Sequence, residues 1–93
     1  MERQIIKTDG TTVNYSPKAG AYYELEELNQ IVGGCIQIIS LHDGRIMVIN
    51  DDGKLLELPY NWEATAIAQE QGAIFGNDFI VGDVLICMEE DIL

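Results

Sequence analysis

A chain of 93 residues has room for one domain, so we expect residues 1–93 to fold as a single unit. Its 16 acidic and 5 basic residues give a formal net charge of −11, which argues against DNA or RNA binding, because contacts to phosphates require lysine and arginine. The sequence contains no apolar run of about 18 residues, so we expect no membrane span. The apolar run near the N-terminus is too short to predict a signal peptide.

A hairpin and a helix are predicted in the first third of the chain. Strand-like residues 2–7 and 11–15 flank Asp9-Gly10, and Asp-Gly between such segments is a strong hairpin signal. Over residues 22–32 apolar side chains recur at helical spacing, and glutamates in the first turns suit the N-terminal end of a helix dipole. Gly33-Gly34 then ends the predicted helix, because glycine adopts the left-handed conformation that helix C-termini favour.

The middle of the chain predicts an antiparallel meander. A second Asp-Gly turn, at Asp43-Gly44, joins the β-branched segments 35–41 and 45–50. The turn at residues 50–53 leads into residues 54–58 (KLLEL), which we predict to be a third strand. Three successive strands joined by tight turns form a meander.

The last third of the chain predicts a second helix and a buried strand. Asn61 is placed to cap a helix over residues 62–71. Residues 78–88 are apolar on both faces, as expected of a central or interface strand, with a break or bulge at Gly82-Asp83. The acidic tail at residues 89–91 is expected to fray. The fold class is therefore α+β: a small antiparallel β-sheet, made of the N-terminal hairpin, the central three-strand meander and the C-terminal strand, with two short helices.

The two cysteines and the high apolar content bear on compartment and assembly. Cys35 and Cys87 lie in strand-like apolar segments, so we expect two buried, reduced thiols of a cytosolic protein, and the sequence leaves a disulfide between neighbouring strands open. A chain of this length has a thin core, yet 47% of its residues are hydrophobic. That leaves apolar material for a subunit interface, so we expect a homo-oligomer.

No catalytic or metal-binding constellation is recognisable in the sequence. His42 is the only histidine and falls at a predicted hairpin tip, where a surface turn residue is the simpler interpretation. Asp51-Asp52-Gly53 lacks the ligand spacing and closing glutamate of a calcium loop. We therefore expect neither an enzyme nor a resident cofactor or metal.

Residues suited to ligand binding are nevertheless present. Trp62 follows a proline at the predicted start of a helix, where it could stack on a purine or equally pack into the core. Arg45 is the only positive charge between Lys18 and Lys54, so it could meet an anionic ligand or remain a solvated strand-end residue. Four polar residues are either turn formers or partners for hydroxyl groups: Asn50, Asp51, Asn77 and Asp78.

A set of short motifs over residues 22–88 resembles a known family. An acidic helix precedes them, and their order is Val32-Gly33-Gly34, Asp43-Gly44-Arg45, Asn50-Asp51-Asp52-Gly53, Leu58-Pro59 and IVGDVLI at 80–86. In this order and spacing the chain resembles a family of small phage proteins catalogued as a domain of unknown function, some of which are the second type of Thoeris anti-defence protein. Two positions depart from the commoner pattern: Tyr23 replaces a capping serine or threonine, and Cys35 replaces an aromatic residue.

The resemblance implies a homotetrameric sponge that sequesters a cyclic ADP-ribose isomer, glycocyclic ADP-ribose made by a TIR enzyme, without degrading it. Such a protein blocks Thoeris immunity in the cytoplasm of the infected bacterial host, and some members hold cyclic dinucleotides at a second site. Matching residue chemistry to that ligand assigns Arg45 to a phosphate, and Trp62 with either Tyr22 or Phe75 to adenine. The residues assigned to ribose hydroxyls or the base edge are Asn50, Asp51, Asn77 and Asp78. The alternative is an acidic protein–protein inhibitor or nucleic-acid mimic that acts on a host defence enzyme.

Overall fold

The computed structural model describes residues 3–18 and 20–92, in which five strands form one antiparallel sheet flanked by two helices. The strand order is β2-β1-β5-β4-β3, so the last strand of the chain occupies the centre. This confirms the predicted α+β class. The elements are β1 (Gln4–Ile6), β2 (Thr12–Asn14), α1 (Leu25–Val32), β3 (Ile36–Leu41), β4 (Arg45–Asn50), α2 (Trp62–Glu70), β5 (Val84–Met88) and a 3-10 turn (Glu89–Asp91).

The two helices cover opposite faces of the sheet. Leu28 and Val32 of α1 pack with Val48 and Leu85, whereas Ala64 and Ala68 of α2 belong to a cluster on the other face. Because alternate residues of a strand point to opposite faces, β4 and β5 are buried on both sides, as the apolar pattern of residues 78–88 predicts. Neither helix of the described residues has the length and apolar character that a membrane crossing requires.

Both Asp-Gly hairpins are confirmed. β1 pairs with β2 around Asp9-Gly10, and β3 pairs with β4 around Asp43-Gly44, with Leu41 opposite Arg45. Gly44 closes the second turn at a φ of 94°, a left-handed conformation that glycine adopts without strain. The part of the first predicted strand at Glu2 lies outside the described residues.

Helix α1 ends where the sequence predicts but begins three residues later. Gly33 has a φ of 82°, and its N–H donates to the carbonyl of Asn29 at 2.8 Å, which closes the helix. At the other end, the N–H of Tyr23 donates to the carbonyl of Asp91, so Tyr23 bridges to the C-terminal segment and is fully buried. The chain therefore turns into α1 only after that bridge.

The predicted third strand of the meander at residues 54–58 is wrong. Residues 51–57 form successive turns, in which the N–H of Leu56 donates to the carbonyl of Asp52 at 2.9 Å. The position beside β4 is taken by β5, which is apolar on both faces and so suits a central slot better than the half-polar KLLEL. Leu55 and Leu56 consequently remain 85% and 57% exposed.

The predicted fraying of residues 89–91 is also wrong. These residues form a 3-10 turn, and Asp91 is buried at 6% exposure. Its carboxylate accepts from the N–H of Met88 at 2.8 Å and forms an ion pair with Arg3 at 3.0 Å. This pair ties the C-terminal end of the chain to the first strand, so the acidic tail has partners that a sequence pattern does not reveal.

The two cysteines differ in environment, and both are free thiols. Cys87 lies inside β5, and burial raises the pKa of its thiol to about 12. The predicted burial of Cys35 is wrong, because this residue precedes β3 at the outer edge of the sheet and is exposed.

Asn61 joins three parts of the fold. As predicted, it caps α2: its side-chain oxygen accepts from the N–H of Ala64 at 3.0 Å. Its side-chain N–H group donates to the carbonyls of Ile6 at 3.0 Å and Gly82 at 2.8 Å. Asn61 is fully buried, so these three hydrogen bonds are made away from water and link β1, α2 and the approach to β5.

We expect Asn61→Ala to lower the free energy of unfolding by about 3 kcal/mol, because it removes a helix cap and leaves two buried carbonyls without their donor. Urea unfolding followed by circular dichroism measures the change. Asn77→Ala is the matched control, since Asn77 is exposed, and it should shift stability by less than about 0.5 kcal/mol. Equal stability of the two variants would contradict this role of Asn61.

Candidate ligand-binding pocket

A pocket with charged, aromatic and apolar lining lies where β4 ends, between the turns of residues 51–57 and the loop of residues 74–81. Its volume is about 160 Å³. That is less than the roughly 300 Å³ of a typical small-molecule site, so the pocket alone can enclose only part of a nucleotide. The lining residues are Gln37, Ile39, Ile49, Asn50, Asp51, Gly53, Lys54, Leu55, Ile74, Asp78, Phe79, Ile80 and Val81.

Lys54 and Asp78 form an ion pair at the rim of this pocket. The ammonium group of Lys54 also lies 4.6 Å from the centroid of the Phe79 ring, a favourable cation–π distance. The hydrogen bond from Lys54 is the main reason that the pKa of Asp78 is lowered, and the N–H of Phe79, which donates to the same oxygen at 2.8 Å, lowers it further. Asp78 is therefore a carboxylate at neutral pH.

Asn50 and Asp51 are adjacent in sequence but have different roles in the lining of the pocket. Asn50 is buried; its amide donates to the carbonyl of Val32 at 3.1 Å, and its side-chain oxygen accepts from the N–H of Asp52 at 2.8 Å. Both ends of that amide are engaged in holding the turn against the end of α1. Asp51 is exposed, so its carboxylate is the group of this pair that faces solvent at the pocket.

Three aromatic rings form a row that ends in the pocket, which we call the aromatic row: Trp62, Tyr60 and Phe79. The ring centroids of Tyr60 and Trp62 are 4.2 Å apart, and those of Tyr60 and Phe79 are 5.3 Å apart with an interplanar angle of 22°. Trp62 is 74% exposed, which rules out the alternative that it packs in the core. The row thus presents aromatic surface to solvent beside the polar wall.

The structure brings some of the predicted ligand-binding residues together and separates others. Asn50, Asp51 and Asp78 line the pocket, and Trp62 is connected to it through the aromatic row. Phe75, which is 85% exposed, and Asn77 lie on the loop that supplies Asp78.

Arg45 and Tyr22 lie elsewhere. Arg45 begins β4 and Asn50 ends it, so they are about 17 Å apart along the strand. Arg45 forms an ion pair with Asp43 at 2.7 Å. Tyr22 precedes α1, which packs on the other face of the sheet from the pocket. Within one copy of the chain, Arg45 and Tyr22 therefore lie apart from the other six residues.

Sequence reasoning missed Lys54, Tyr60 and Phe79. The sequence pattern predicts Lys54 in a strand that does not form, and it predicts Phe79 in the interior of a strand that begins only at Val84. Tyr60 lies two residues before Trp62, but the sequence pattern does not place their rings together, because Asn61 is extended whereas Trp62 already begins α2.

The chemistry of the pocket suits binding. Its lining offers two carboxylates, one ammonium group, an aromatic ring and apolar side chains, which can hold a hydroxylated or anionic ligand with a planar part. Within residues 3–18 and 20–92 no group of three or more His, Cys, Asp or Glu side chains is arranged to hold a metal ion.

We expect Lys54→Met to raise the pKa of Asp78 toward the ordinary value of an aspartate, because it removes the hydrogen bond that lowers this pKa most. A carbon-detected NMR titration of the side-chain carboxyls measures it. Asp43 is an internal control, since its low pKa comes from Arg45 and should not change. An unchanged pKa of Asp78 would contradict the ion pair.

Comparison with known proteins assigns a family. A model described as a domain of unknown function, DUF3846, matches residues 4–92. No curated protein and no solved structure matches the chain significantly. Because the match covers nearly the whole chain, this protein is a member of the DUF3846 family of unknown function.

Proposed function

We propose that this protein binds a cyclic ADP-ribose-type nucleotide in the pocket at the end of β4 and sequesters it without breaking a bond. The observation that carries the proposal is the pocket wall in which Lys54, Asp78 and Phe79 are in mutual contact beside the exposed aromatic row. The motif resemblance supplies the identity of the ligand, glycocyclic ADP-ribose, and the biological setting, a phage protein that blocks Thoeris immunity in the host cytoplasm. The implied homotetramer and second site for cyclic dinucleotides stay predictions.

The aromatic row supports recognition of the adenine base. Each base stacked on an exposed aromatic side chain contributes about 1–3 kcal/mol, and the stacking does not depend on hydrogen-bond readout. Phe79 lines the pocket and Trp62 is largely exposed at the outer end of the row. A base placed against this surface lies within reach of a sugar in the pocket.

The polar wall supports recognition of the ribose and phosphate groups. Ribose hydroxyls donate hydrogen bonds, and the carboxylates of Asp51 and Asp78 accept them. Lys54 is the cation beside the pocket. A phosphate that binds the ammonium group of Lys54 replaces Asp78 in the ion pair, and Asp78 can then accept a hydrogen bond from a hydroxyl. Distant carboxylates repel the ligand weakly, because the Debye length at physiological ionic strength is about 8 Å.

The same groups argue against cleavage of the ligand. A general base works best with a pKa near the operating pH. The pKa of Asp78 is lowered by Lys54 and also by the N–H of Phe79, and the hydrogen bond from Phe79 remains when a phosphate takes Lys54, so the carboxylate stays a weak base. The pocket lining contains neither histidine nor cysteine, so the usual nucleophile–base pair is missing from it. Storage of the intact nucleotide is the activity that fits this inventory.

We expect purified protein to bind glycocyclic ADP-ribose in a calorimetric titration and to release the same compound, unchanged in mass and retention time, after heat denaturation. Recovery of a hydrolysed or linearised product would contradict sequestration. Absence of binding at a protein concentration of about 100 µM, where even weak small-molecule sites are occupied, would contradict the proposal as a whole.

Two single cation variants test where the ligand lies. Lys54→Ala should weaken binding about tenfold or more, because a charged hydrogen bond to phosphate is lost. Arg45→Ala is the matched control and should bind like the parent, since Arg45 lies at the opposite end of β4. The reverse result would restore the phosphate role predicted for Arg45 and contradict the pocket.

Charge favours the alternative of an acidic inhibitor or nucleic-acid mimic as a second candidate. Among the described residues, internal ion pairs join Arg3 to Asp91, Arg45 to Asp43 and Lys54 to Asp78. The surface field of a chain at −11 is therefore strongly negative. This candidate requires a host protein that co-purifies at low salt and dissociates at high salt, whereas the sequestration proposal requires none.

A further inference from the structure

The outer edge of β3 lacks the usual protection of a sheet edge. Natural edge strands are kept apart by short length, charged side chains, proline or bulges. β3 spans six residues, and the stretch from Gly34 to His42 contains no proline and no aspartate, glutamate, lysine or arginine. The opposite edge strand, β2, is only three residues long, and Pro17 follows it closely. The β2 edge is therefore protected against pairing with another strand, whereas the β3 edge is not.

The pairing register tells which backbone groups of β3 face outward. The N–H of Asp51 donates to the carbonyl of Cys35, and residues 36 to 41 pair with residues 50 to 45 in turn. In an antiparallel ladder the hydrogen-bonded positions alternate, so the odd-numbered residues of β3 direct their N–H and C=O groups to β4. The even-numbered residues Ile36, Ile38 and Ser40 direct theirs away from the sheet.

We infer that β3 pairs antiparallel with β3 of a second copy of this chain, across a two-fold axis at Ile38, so that two sheets become one continuous sheet. With Ile38 opposite Ile38, residue Ile36 of each copy lies opposite Ser40 of the other. Every outward residue of the strand then meets another outward residue, and each such pair exchanges two hydrogen bonds. A register shifted by two residues leaves one outward residue of β3 without a partner in β3 of the other copy.

Charge explains why a second copy fits this edge. Two molecules at −11 repel each other, and an uncharged strip is the surface along which they can approach most closely. A basic peptide would find no carboxylate between residues 34 and 42 to recognise. Ile38 is 45% exposed, and in this register it is covered by its own counterpart.

The pairing also affects the pocket. This consequence rests on the proposed function, whereas the pairing itself does not. Gln37 and Ile39 belong both to β3 and to the pocket lining. In the inferred register Gln37 of one copy lies opposite Ile39 of the other, so the two pockets meet along the new strand pair. The second copy would enlarge a pocket that is by itself too small to enclose a nucleotide.

Light scattering after gel filtration tests the pairing without any ligand. We expect the parent to have twice the 10.3 kDa mass of the chain at about 100 µM, or a multiple of that dimer mass. Ile38→Pro should have half the mass of the parent and the same circular dichroism, because the N–H that it removes points away from β4. Ile38→Thr is the matched control and should keep the mass of the parent. A monomeric parent, or an Ile38→Pro variant with the mass of the parent, would overturn the inference.

Disulfide trapping tests the register independently of those variants. In a Cys35→Ser background, Ile38→Cys should give a covalent dimer under mild oxidation, because opposed residues on paired strands have Cα atoms about 5.5 Å apart. Ser40→Cys in the same background should not, since the two copies of residue 40 would be more than about 10 Å apart. Equal crosslinking of the two variants would overturn the register, and neither result depends on nucleotide binding.

Discussion

The buried amide of Asn61 is the constraint on which the rest of this small fold depends. It binds the carbonyls of Ile6 and Gly82 while it caps α2, so three segments distant in sequence meet at one side chain. A thin core tolerates an unpaired buried polar group poorly, because each costs about 1–3 kcal/mol. The amide must therefore point inward. Tyr60 and Trp62 flank Asn61 in sequence, and Trp62 is 74% exposed.

This geometry connects folding to the candidate site. The N–H of Asn61 donates to the carbonyl of Ile80 at 2.9 Å, and the hydroxyl of Thr65 accepts from the N–H of Ile80 at 2.9 Å. The start of α2 thus fixes the loop that carries Asp78 and Phe79. The pocket wall is held by buried hydrogen bonds on one side and by the ion pair of Lys54 on the other. Such preorganisation reduces the entropy lost when a ligand binds.

The helices and hairpins are predictable because their signals are local. The pairing of strands is not, because distant segments compete for the same place in the sheet. Asp43-Gly44 and the Asn61 cap specify their turns through neighbouring residues alone. Residues 54–58 have strand-like composition, but the place beside β4 goes to β5, about thirty residues further along the chain. The same limit applies to the site. Asn50, Asp51 and Asp78 were identifiable as polar residues near strand ends, but the choice of Lys54 over Arg45 requires knowing which end of β4 faces the loop. Phe79 joins the aromatic row only because Tyr60 bridges to Val81.

The proposed position of the ligand is the end of β4, against the loop of residues 74–81. Amide chemical-shift mapping during titration of the ¹⁵N-labelled protein with glycocyclic ADP-ribose tests this position. We expect shifts concentrated in residues 50–55, 60–62 and 78–81, with residues 22–24 and 43–45 unchanged. Shifts centred on Arg45 or Tyr22, or a spectrum that does not respond at saturating ligand, would contradict it.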